Sequence, residues 1–88
     1  MDKAKIREYC TAVFSFADSQ STDTVTYKIY RASDCSIFAQ GNCSYVNGIN
    51  WKVVFRPKTV DIFIVQAKNE TLDVEDVRIF KVIEEKRG

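Results

Sequence analysis

The reactive chemistry open to this chain rests on three cysteines, Cys10, Cys35 and Cys43, and on the carboxylates Glu70, Asp73, Glu75 and Asp76. A cysteine becomes a nucleophile or a metal ligand when a neighbouring base or cation draws off its proton. The chain contains no histidine. The usual proton acceptor at neutral pH is therefore missing, and histidine-based triads and metal sites are excluded. Cys35 and Cys43 are separated by seven residues, not the two of a redox pair, and only polar residues surround them.

Cys10 falls among apolar residues, where a cysteine serves as a small buried hydrophobe. An odd number of cysteines without metal spacing fits reduced thiols in a cytoplasmic protein. A hairpin could still bring Cys35 and Cys43 within disulfide range. The acidic cluster has the charge of a calcium loop but not the spacing of an EF-hand, and it reads as a solvated connection. Gly41, Gly48 and Gly88 form no phosphate-binding loop. No catalytic residue, metal or cofactor is expected.

At 88 residues the chain has the length of one domain with a modest core, and its 45% apolar content is that of a globular protein. Thirteen basic residues against twelve acidic ones leave a net charge of +1, which argues against a polybasic nucleic-acid binder and against an acidic mimic of DNA. The charged start, MDKAKIREYC, lacks the apolar centre of a signal peptide. No run is long enough to span a membrane, so no membrane partner is expected.

The elements that would position a site begin with a helix over about residues 2–18. Asp2 is a suitable N-cap, and Ile6, Tyr9, Cys10, Val13, Phe14 and Ala17 recur at three- and four-residue spacings. The rest reads as strands, over about residues 24–31, 36–46, 49–56, 59–66 and 77–83. β-Branched and aromatic residues dominate these runs. The last one could line a helix face through Val77, Phe80 and Ile83, and its β-branched content favours a strand. The expectation is an α+β domain: an N-terminal helix on one face of an antiparallel meander of about five strands.

Two turns set the expected register. Asn47-Gly48 suits a two-residue hairpin loop and pairs Val46 with Ile49 and Ser44 with Trp51. Pro57-Lys58 pairs Phe55 with Val60, Val53 with Ile62 and Trp51 with Ile64. Both turns place Ile49, Trp51, Val53, Phe55, Val60, Ile62 and Ile64 on one face, with Trp51 in the core. Ile37 and Ala39 share that face with Ser44 and Val46 only if a residue is inserted, which predicts a β-bulge at Gly41-Asn42.

The same register turns Tyr30, Tyr45, Lys52, Arg56, Phe63 and Phe80 outward, together with Lys28, Phe38 and Arg78. Aromatics mixed with arginine are favoured at the centres of protein interfaces. Rings flanked by cations also suit stacked bases of a single-stranded nucleic acid. Cross-strand pairing alone could account for the pattern. The expected function is a small non-catalytic protein-binding module of adaptor or inhibitor type, acting through this face on another protein or on itself as a homodimer. Small proteins of phages and other mobile elements often have this size. Single-stranded nucleic acid is the alternative partner.

Overall fold

From Cys10 onward the N-terminal segment alternates rather than winding. Cys10, Ala12, Phe14 and Phe16 are buried while Thr11, Val13 and Ser15 are exposed, which is the two-residue period of a strand. The computed structural model describes residues 2–84. Among them are eight strands and no helix: β1 (Asp2–Lys5), β2 (Cys10–Ser15), β3 (Val25–Arg31), β4 (Ile37–Asn42), β5 (Ser44–Asn47), β6 (Asn50–Phe55), β7 (Ile62–Asn69) and β8 (Val74–Ile83).

The expected α+β architecture is therefore corrected to an all-β one. The helical reading failed because Cys10 and Phe14 fit both periods. The opposing sheet decided between them by burying Ala12 and Phe16 and leaving Tyr9 74% exposed. The strand reading of the last segment is correct and extends to Val74.

The strands form two sheets, β1-β8-β7-β3-β4 and β2-β6-β5. All neighbours are antiparallel except β1 and β8. Strands three, seven and eight lie together in one sheet and two, five and six in the other, which is the connectivity of an immunoglobulin-like sandwich. The cysteine pin of antibody domains is absent, since all three cysteines are free. The core is instead aromatic: the Phe55 ring lies 5.4 Å from Phe80 and 6.0 Å from Phe63, and Phe38 closes on Phe63 at 5.2 Å. The Phe55–Phe80 and Phe38–Phe63 contacts are edge-on, a geometry that adds to simple area burial.

Several sequence-derived registers are corrected for a single reason. Phe55 ends β6 in the small sheet, and Ile62 begins β7 in the large one. The stretch after Pro57 is thus a crossover between sheets, not a hairpin. The hairpin would have switched the inward residues from odd to even numbers, whereas the crossover keeps odd-numbered residues inside. Trp51, Val53 and Phe55 are core as expected, but in β7 the core residues are Phe63, Val65 and Ala67. Val60 is exposed, and Ile62 and Ile64 face away, half-buried.

The break expected at Gly41-Asn42 is real in position but different in kind. β4 pairs with β3 in the large sheet, Cys43 donates its N–H to the Val25 carbonyl at 2.8 Å, and β5 joins the small sheet. The Asn47-Gly48 turn is shifted by one residue: Asn47 pairs with Asn50, Tyr45 with Trp51, and the ladder slips between Tyr45 and Asn47. Gly48 adopts φ 51°, which glycine tolerates best. Ser44, Val46 and Ile49 consequently lie exposed rather than in the core.

Arg7 marks the other sheet switch, between β1 and β2, with φ 67°. Its N–H reaches the Pro57 carbonyl at 2.9 Å and its own carbonyl accepts from Arg56 Nε at 2.8 Å. Two hydrogen bonds thereby hold a backbone conformation that a large residue seldom adopts.

Candidate functional site

The outer face of the large sheet follows from its registers. Tyr30 pairs with Ile37 on β4 and with Ile64 on β7, and Ile64 pairs with Ile79 on β8. Directly paired residues share a face. Ile37, Tyr30, Ile64 and Ile79 therefore form one apolar row across four adjacent strands. The flanking row is Gln40, Lys28, Gln66 and Val77, and on the opposite side Ile62 pairs with Lys81. Ile37 is 48% exposed and Ile79 39%. Outer faces of antiparallel sandwiches are ordinarily polar, so a continuous apolar row with a central tyrosine marks this face.

The six residues expected to share one surface do not. Tyr30 alone lies on this face. Phe63 and Phe80, at 0% and 6% exposure, are core residues, because β7 and β8 present the opposite parity from that expected. Lys52 lies on the outer face of the small sheet, opposite Val13 and Ser44. Tyr45 packs edge-on against Trp51 at 5.1 Å and donates its hydroxyl to the Gly48 carbonyl. Arg56 is committed to the Arg7 carbonyl, with its guanidinium over the Tyr9 ring at 5.7 Å. Ile37, Ile64 and Ile79 were not legible as surface residues, since their orientation depends on which sheet each strand joins.

The groups with chemical potential are otherwise occupied. Burial pushes the Cys43 thiol up to about 11, and Cys10 is also raised, by burial and then by Glu8. Both changes oppose a reactive thiolate. Among the acidic residues, Glu70 and Asp73 meet Lys68 at 3.7 and 3.4 Å, Glu75 accepts from Gln66, and Asp76 pairs with Arg78 at 3.0 Å. Among the described residues no three metal-ligating side chains cluster, and no helix is long and apolar enough to cross a membrane.

No family model and no curated protein matches the chain. Among solved structures it is similar to a crystal structure from Bacteroides vulgatus provisionally described as a glycoside hydrolase, with a TM-score of 0.72 and 10% identity over 99% of this chain. The chain spans 17% of that protein's length. The likeness shows the fold: the same β-sandwich occurs as a small part of a larger polypeptide.

Proposed function

We propose that this β-sandwich is a non-catalytic protein-binding module that docks through the outer face of its large sheet. One observation carries the reading: the row Ile37, Tyr30, Ile64 and Ile79, in register across four strands. Aliphatic residues around one tyrosine, rimmed by Lys28 and Lys81, match the apolar centre and polar rim of a protein interface. A single ring on the face gives stacked bases or sugars little to rest on. The acting surface is thus the Tyr30 row, in place of the aromatic and basic set expected from sequence. The similarity to a small part of a larger protein agrees with a module whose partner is a protein surface, either a second copy or another polypeptide.

Sedimentation across a concentration series tests the reading. A dimer weakened about tenfold or more by Ile79→Lys supports it, since a buried charge at an interface centre costs more than 1.4 kcal/mol. Salt-sensitive oligonucleotide binding that depends on Lys28, in a chain that stays monomeric, would replace it.

A further inference from the structure

The small sheet has an open place beside β2. The β2–β6 ladder runs without a slip from Cys10↔Phe55 to Ser15↔Asn50, and the Phe16 N–H reaches the Ile49 carbonyl at 3.1 Å. Hydrogen-bonded and non-bonded pairs alternate in an antiparallel ladder. Cys10, Ala12 and Phe14 therefore bond β6, while Thr11, Val13 and Ser15 aim their backbone N–H and C=O groups away from it. Among the described residues no strand lies on that side.

The other edges are guarded in the usual ways. β1 is short and carries lysines, β5 has four residues and a slipped ladder, and the β3–β4 ladder shifts near the start of β4. β2 has six residues, CTAVFS, without charge, proline or bulge.

A second observation lies beside this edge. β2 sits across from β8, where the Arg78 guanidinium is 5.3 Å from the centre of the Phe14 ring. β1 lies beyond β8 at the edge of the large sheet. A groove of about 370 Å³ opens between β1 and the start of β2, lined by Lys3, Ala4, Lys5, Glu8, Tyr9, Cys10, Thr11 and Phe80. Its apolar depth is Phe80, Cys10 and Ala4. Immunoglobulin-like sandwiches often place a fourth strand next to the second one, and here that place is the groove.

We propose that the β2 edge binds an extended segment of another polypeptide, which becomes the fourth strand of the small sheet. The main-chain groups of Thr11, Val13 and Ser15 hold its backbone, and an alternate apolar side chain enters the groove above Phe80. Strand addition takes its affinity from the main chain and its selectivity from such pockets. The β2 edge belongs to the small sheet and the Tyr30 row to the outer face of the large one, so different residues test the two proposals.

The probe is a synthetic heptapeptide of alternating valine and threonine with a glutamate at each end, added to the ¹⁵N-labelled chain. Amide exchange of Thr11, Val13 and Ser15 should slow about tenfold or more. The same peptide with a central proline should have no effect. Val13→Pro removes an outward N–H that bonds nothing in β6, so the fold should survive and binding should fall about tenfold. The proposal is overturned if millimolar peptide leaves these three amides unprotected. It is equally overturned if Val13→Pro folds and binds unchanged, or if the protection appears without peptide and grows with protein concentration, which would identify the occupant as a second copy.

Discussion

The indole N–H of Trp51 donates to the Ser19 hydroxyl at 2.8 Å, and Asn69 donates to the same oxygen at 3.1 Å from the opposite sheet. The Ser19 hydroxyl in turn donates a hydrogen bond to Asp23 Oδ2, which also accepts from Asn69 and from the Gln20 N–H. Asn69 Oδ1 takes the Leu72 N–H. A hydroxyl can accept twice and donate once, and Ser19 does all three. The β2–β3 loop, the β7–β8 turn and the only tryptophan are joined by this one oxygen.

Ser19→Ala should destabilise the domain by about 1–3 kcal/mol, because it leaves two buried donors without an acceptor. Urea unfolding followed by the fluorescence of Trp51 would read it. The effects of Ser19→Ala and Asn69→Ala should be markedly non-additive, as for members of one network. Additive losses would show that the two residues act independently.

Phe63 is fully buried at the centre of the ring cluster. Phe63→Ala should cost about 3–5 kcal/mol, enough to leave a domain of this size largely unfolded. Circular dichroism and heat capacity scans would detect it. A folded Phe63→Ala variant with a new binding defect would return Phe63 to the surface and contradict the core placement.

The outer row predicts the reverse pattern. Tyr30→Ala and Ile79→Lys should shift stability by about 1 kcal/mol or less, since both side chains are already partly in water. Any self-association should weaken strongly in the same variants. Comparing unfolding midpoints with sedimentation constants separates the two effects.

Stability should fall in alkali. The Cys43 thiol stands at about 11 in the folded chain against an ordinary 9.0, because burial disfavours the thiolate. A pKa raised by folding gives stability that is complete below the unfolded value and lost as pH climbs to the folded one. The loss should run from about pH 9 to pH 11 and approach about 2–3 kcal/mol, with Cys10 acting in the same direction. Cys43→Val should flatten this part of the pH profile in urea unfolding experiments.

Thiol counting provides an independent check. Cys35 is exposed while Cys10 and Cys43 are buried, and none is bonded to another. Under native conditions one thiol should react quickly and the other two only at the rate of opening. A single titratable thiol in denaturant would reveal a Cys35–Cys43 disulfide and refute the free pair.

Much of the strand content was readable locally. The runs around residues 25–31, 50–55 and 74–83 carry β-branched and aromatic residues that favour a pleated, half-buried surface. The break after Gly41 was readable too, because Ile37 and Val46 could not share a face without it. The absence of histidine excluded histidine-based chemistry from composition alone.

Tertiary structure decided the rest, because a strand's inner face is fixed by the sheet it joins. A strand has two faces one residue out of phase, and a slip of one reverses them. Phe55 and Val60 look like partners across Pro57, yet Phe55 ends a strand of the small sheet while Val60 lies in the crossover to the large one, and that single crossover put Phe63 inward and Ile64 outward. At the N-terminus, Cys10 and Phe14 suit either a helix or a strand, and only the opposing β8 chose between them. The sequence determined which residues were apolar and where the chain had to turn. The stacking of two sheets determined which apolar residues became the core, and which were left as the row around Tyr30.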